Sequence, residues 1–389
     1  VKQHLLINAL LLSLIATGCR EQKQAPQVGL LSNAGFLKQW EAPLGLSRDP
    51  IRALYLRNEQ LIAYSASNRA YFVDAAAGTL TGIDRVVAPG YRLYPPIALT
   101  DYFAIPTTAT VEVFDKQAHR VESMKPLLPI QGPGTGNGNS LYIPTSSTTA
   151  RLSRYDVSNA QIANVWDLYT SDRLQAAPVV FSDAVYAGGT DGKVWAVTAN
   201  RLGLWNLPNG VFLTDGPITA DLAADEFGLY VASQDRKLYC LDRSSGKIKW
   251  TYYAEAALLD GPVVIGNNVY QMVPGMGLVS INKTEGRFAR DAMWTQSAAR
   301  QVLSADEKYV YVRGGGNSIL ALDRATGQIA FQNVRTDLTV FATNLTTPTI
   351  YAATRAGSIL AIKPVIKPGE TGEIVLETTT VREQLASAE

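Results

Sequence analysis

Along most of the chain, apolar and polar residues alternate with a period of two, in runs of about five residues broken by Gly, Ser, Asn or Asp. Such runs read as short, half-buried β-strands. One kind of run recurs through the whole body. It appears as Ala70-Tyr-Phe-Val-Asp74 and Val111-Glu-Val-Phe-Asp115, and again as Leu238-Tyr-Cys-Leu-Asp242 and Ile319-Leu-Ala-Leu-Asp323. Its last residue falls at Asp74, Asp115, Asp156, Thr198, Asp242, Asn282, Asp323 and Lys363, in steps of 40 to 44 residues. Near-equal steps of this length are the mark of a repeat architecture.

The fifth unit displays the internal order. Pro217-Ile-Thr219 is followed by Gly228–Ser233, by Lys237–Asp242 and by Ser244-Ser-Gly-Lys-Ile-Lys-Trp250. Four strands in about 40–45 residues make one propeller blade. The chain therefore predicts an all-β fold, an eight-bladed β-propeller of four-stranded antiparallel blades over residues 35–363. The tight turn after each acid needs a residue that accepts positive φ, and Gly78, Gly246, Gly286 and Gly327 supply it. Aromatic residues on fourth strands, Trp166, Trp205, Trp250, Trp294 and Phe331, are placed to cover the seams between blades.

The eighth unit lacks an aromatic fourth strand, while Phe36-Leu-Lys-Gln-Trp40 precedes the first as a spare one. The simplest assembly lets this N-terminal strand complete blade eight and remove an open edge. Two other closures stay open: a seven-bladed ring with a separate terminal unit, or a last strand drawn from Glu373–Leu376 in the tail 364–389.

Ahead of the repeats, Lys2 and an apolar run from Leu5 to Ile15 lead into Ala16-Thr-Gly-Cys19. The run is too short to span a bilayer and suits a signal peptide over 1–18. Its end resembles the lipobox of bacterial lipoproteins, which implies acylation of Cys19. Arg20 at the next position implies passage to the outer membrane. Residues 19–34 are polar and aperiodic and read as a tether.

Asp242-Arg-Ser-Ser-Gly-Lys-Ile-Lys-Trp250 and Asp323-Arg-Ala-Thr-Gly-Gln-Ile-Ala-Phe331 resemble the repeat of the quinoprotein-type (PQQ-like) propeller family, Asp-x-x-Thr-Gly-x-x-x-Trp. With the lipobox and the closing N-terminal strand, the chain is similar to the propeller lipoproteins of the outer-membrane barrel-assembly machinery. That resemblance implies a non-catalytic scaffold, anchored by lipid and facing the periplasm. It would be monomeric alone, with an envelope protein such as a barrel-assembly subunit as partner.

Composition adds mainly exclusions. Net charge is +1 with 35 basic and 34 acidic residues, which argues against a phosphate-binding, nucleic-acid surface. Two cysteines and two histidines cannot furnish a structural zinc site. A quinone dehydrogenase would want a vicinal Cys pair and a calcium-binding acid set, and neither is present in the sequence; no cofactor is expected. His119 reads as an exposed turn residue, and Gly132-Pro-Gly-Thr-Gly-Asn-Gly-Asn139 as a flexible loop entering blade three. The stretch Leu207–Gly216 reads as a loop joining blades four and five. Its Phe212 and Leu213, with Met276 in the turn Pro274-Gly-Met-Gly277, are the candidate partner-binding residues. Two alternatives remain: a surface propeller binding a glycan or small ligand, and a quinone-dependent redox enzyme.

Overall fold

A computed structural model describes residues 29–30, 35–46, 48–284 and 291–365. Cys19, the signal segment, most of the tether, Gly286 and the tail beyond residue 365 lie outside the described residues. The described strands form eight antiparallel sheets of successive strands, arranged as blades one to eight in chain order. Blade five is typical, with strands Ala223–Ala224, Leu229–Ala232, Lys237–Leu241 and Ile248–Tyr253. All eight anchor runs fall on third strands or at their ends.

The burial pattern follows from stacking. A middle strand has a neighbouring blade on each side, so Leu229–Ala232 is buried at every position. The outer strand has solvent along one edge, and Ile248–Tyr253 buries Trp250 and Tyr252 while exposing Ile248 and Tyr253. The core is accordingly divided among the seams. One cluster joins Tyr186, Val194 and Trp205 of blade four to Leu229, Val231 and Leu241 of blade five.

The N-terminal strand closes the ring. Phe36–Pro43 pairs antiparallel with Ser358–Pro364, setting Phe36 against Pro364 and Trp40 against Ala361. Blade eight is thus built from Leu338–Ala342, Ile350–Thr354, Ser358–Pro364 and this strand. Gly29–Leu30 adds a short further pairing on its outer edge, within the segment read as tether.

Two stretches differ from their sequence reading. Thr135–Asn137, inside the glycine-rich run, is the first strand of blade three and not a flexible loop. A Cβ on Gly136 would sit 2.7 Å from Ile97 and 2.8 Å from Leu99 of blade two, so glycine here serves close approach. The segment before blade five also contains a strand, since Val211–Leu213 is the fourth strand of blade four. Gly203 and Leu204 first pair with Val197 and Ala196, then the chain bulges through Pro208–Gly210 before resuming. This insertion accounts for the 44-residue step between Thr198 and Asp242.

Candidate functional site

One docking interaction repeats at five of the seams between blades. Five fourth-strand or approaching tryptophans donate their indole N–H to a backbone carbonyl of the next blade. The acceptor is always the residue after the third-strand anchor. Trp166 donates to Ala199 (2.7 Å), Trp205 to Arg243 (2.8 Å) and Trp250 to Lys283 (2.7 Å). Trp294 donates to Arg324 (2.9 Å), and Trp40 closes the circle on Ala75 (3.2 Å). Each indole also meets a tyrosine on the second strand of its own blade, as Trp250 meets Tyr230 at 6.0 Å. The turn glycine of the next blade lies beneath: a Cβ on Gly246 would be 2.6 Å from Trp205, and one on Gly327 2.5 Å from Trp294.

The turns themselves are held by the anchor acids. Asp242 accepts from the backbone N–H of Ser244 and Ser245 and from both hydroxyls. The Ser244 hydroxyl, against partial desolvation and helped by Ser245 and Lys249, brings its pKa down to about 2. A carboxyl depressed by folding contributes stability above its unfolded value near 3.8, and that contribution is lost as pH falls through about 2. Asp242→Asn is therefore expected to flatten the stability profile between about pH 4 and pH 2. Urea unfolding at stepped pH reads the slope; an unchanged slope refutes the assignment.

Blades one and two lack the tryptophan and use charge instead. Gly82 faces Ala118 where other seams set Trp against Gly. Arg120 bonds Glu112 (2.8 Å) within blade two and Asp84 (2.9 Å) across the seam, and donates to the carbonyls of Arg85 and Val86. Glu112 is only 3% exposed, so Arg120 neutralises a carboxylate that would be costly alone.

The candidate binding residues fall on one face, the end of the ring where second strands turn into third strands and fourth strands leave for the next blade. Leu213 pairs with Lys193 at the close of its strand and is 64% exposed. Phe212 turns inward, its ring 5.3 Å from that of Tyr239 in blade five. Met276 lies in the turn of blade six and packs partly against the core shared by blades five and six. Blade five separates it from Leu213, so the three do not form one continuous patch.

A concavity runs on the ring axis. It has a volume of about 420 Å³, and its wall includes Tyr55 and Arg57 of blade one, Thr135, Asp221, Gln301 and Phe341. Arg57 donates to the carbonyls of Pro96 (2.7 Å) and Leu56 (2.9 Å) and lies over the Tyr55 ring. Asp221 accepts from the Ala177 N–H at 2.7 Å. Burial raises the carboxyl's pKa and lowers that of the guanidinium.

Two further reactive side chains lie outside these regions. The His119 side chain is 76% exposed on its turn and 3.2 Å from Asp115. Cys240 is buried on a third strand, and burial pushes its thiol up to about 12, leaving it protonated at neutral pH. Among the described residues, no three His, Cys, Asp or Glu side chains come together to hold a metal ion. The channel donors therefore do not fit a calcium-held quinone.

A family model described as outer membrane protein assembly factor BamB matches residues 184–289, which include the Asp242–Trp250 motif. The chain resembles BamB. The crystal structure of BamB from Moraxella catarrhalis superposes with a TM-score of 0.65 at 16% identity, covering 87% of this chain and 100% of that one. Two other solved structures are equally similar in shape. The computationally designed Ika8 protein has a TM-score of 0.65 at 14% identity, covering 84% of this chain and 98% of its own. Saccharomyces cerevisiae Sqt1 has 0.65 at 10%, with the same coverage of 84% and 98%. No protein of curated function matches the chain in sequence. At such identities these superpositions establish the fold, and the BamB-matching segment contains Phe212, Leu213 and Met276.

Proposed function

We propose that this protein is a non-catalytic scaffold of the bacterial envelope that holds another protein during assembly of outer-membrane β-barrels. The observation that carries the proposal is the double likeness to BamB, in the sequence of residues 184–289 and in the fold of the whole ring. The rigid seams support it, because a ring locked blade to blade presents its loops at fixed spacing. Acylation at Cys19 tethers the ring to the periplasmic face of the outer membrane, leaving it monomeric when its partner is absent. The face carrying Leu213 and Met276 meets that partner.

A photo-crosslinking residue at position 213, activated in cells and followed by mass spectrometry of the membrane fraction, tests this reading. The expected product is an adduct with a barrel-assembly protein, lost when the same residue is placed at His119 on the opposite end of blade two. Recovery of uncrosslinked lipoprotein alone from both positions refutes the scaffold role.

A further inference from the structure

The axial channel holds two opposite charges that form no direct ion pair. Arg57 comes from blade one and Asp221 from the approach to blade five, on opposite sides of the ring, and both line the same cavity. Among the described residues, no carboxylate lies within 4.0 Å of the Arg57 guanidinium and no cationic nitrogen within 4.0 Å of Asp221. Each is pinned on its own wall. Arg57 has two of its N–H groups committed to Pro96 and Leu56, and Asp221 has one oxygen committed to Ala177. The remaining guanidinium N–H groups and the second carboxylate oxygen are left for a guest.

Arg57 is half-buried and Asp221 stays exposed to the channel; each feels the other's charge across it, and no ion pair joins them. Here neither can swing across without breaking its anchor. A guest lying between them can bring an anion to Arg57 and a cation to Asp221 at once. The rest of the wall sets the body of that guest, since Tyr55 and Phe341 line the cavity beside Thr135 and Thr343. The volume falls within the range of small-molecule sites.

We propose that the channel binds a small zwitterion with an apolar body, of the class of free amino acids and dipeptides, with its carboxylate on Arg57 and its ammonium on Asp221. The inference does not rest on the scaffold reading, and it concerns a surface distant from Leu213 along the blades.

Isothermal titration of the purified protein with the dipeptide Leu-Leu, and with its N-acetylated, C-amidated form, tests the assignment. The blocked peptide keeps the apolar body and loses both charges. Saturable one-to-one binding of Leu-Leu is expected, with the blocked form weaker by about 10-fold or more, the loss of a charged hydrogen bond. Asp221→Asn and Arg57→Met should each weaken Leu-Leu by a similar factor. Asp221→Asn keeps the Ala177 hydrogen bond, so it reports on binding even where Arg57→Met lowers the melting temperature. No saturable heat up to about 10 mM peptide, equal binding of the blocked form, or undiminished binding to Asp221→Asn overturns the proposal.

Discussion

Trp40→Ala is expected to destabilise the folded ring by about 3–5 kcal/mol, in the range for truncating a buried tryptophan. Trp40 is 4% exposed and belongs to the core cluster that joins blade eight to blade one. Its indole donates to Ala75, packs 6.0 Å from Tyr351 and covers Gly78. The carbonyl of Ala75 keeps a second donor in the Tyr351 hydroxyl (3.2 Å), so the loss is mainly one of packing. Its place in the ring makes the effect global, because this seam joins the last blade to the first. Denaturant unfolding followed by tryptophan fluorescence and by far-ultraviolet dichroism measures it. A loss below about 1 kcal/mol would mean that the strand pairing closes the ring unaided.

Gly78→Ala should act at the same joint from the other side. Gly78 has φ of +70°, and an added Cβ would lie 2.6 Å from two atoms of the Trp40 indole. The left-handed backbone costs a non-glycine residue roughly 1–2 kcal/mol, and forcing the indole aside a further 1–3 kcal/mol or so. Gly138→Ala is the internal control, with φ of +59° and nothing within 4 Å of the new atom. It is expected to show only the backbone part. In a Trp40→Ala background the Gly78→Ala clash disappears, so the double mutant should be more stable than the two losses added together. Simple additivity would sever the link drawn between the turn glycine and the indole.

These joints were legible in the sequence because both halves are local and repeated. Asp323-Arg-Ala-Thr-Gly327 states its own turn, and a tryptophan about eight residues after the anchor recurs often enough to be noticed. The tyrosines beside the indoles repeat too, on second strands from Tyr142 to Tyr351, and a search across units for one aromatic per second strand would have found them. The glycine-rich run at 132–139 misled for a physical reason. Glycine serves mobility and close packing alike, and only the position of Ile97 and Leu99 separates the two. Val211–Leu213 was hidden by the bulge that displaces it from the repeat's usual spacing.

The remaining features leave no periodic trace. Arg120 and Glu112 replace an aromatic seam with an ion pair at one joint only. Arg57 and Asp221 stand in different units, and neither lies at an anchor position. Their shared cavity exists because the ring curves back on itself, a property of eight blades together and absent from any one of them.

That curvature also sets a clock. Each blade's own hairpins join residues a few positions apart, while the pairing of Phe36 with Pro364 closes a loop of about 330 residues. Relative to a four-residue hairpin, the entropic cost of that contact is greater by about 4 kcal/mol. The first strand of the ring to be synthesised is therefore among the last to find its partner. Until Ser358–Pro364 arrives, Phe36–Pro43 waits with its backbone unpaired, and blade eight stands as an open, adhesive edge. Refolding should accordingly show a fast phase in which most blades form and a slower one that belongs to closure, with aggregation confined to the interval between them.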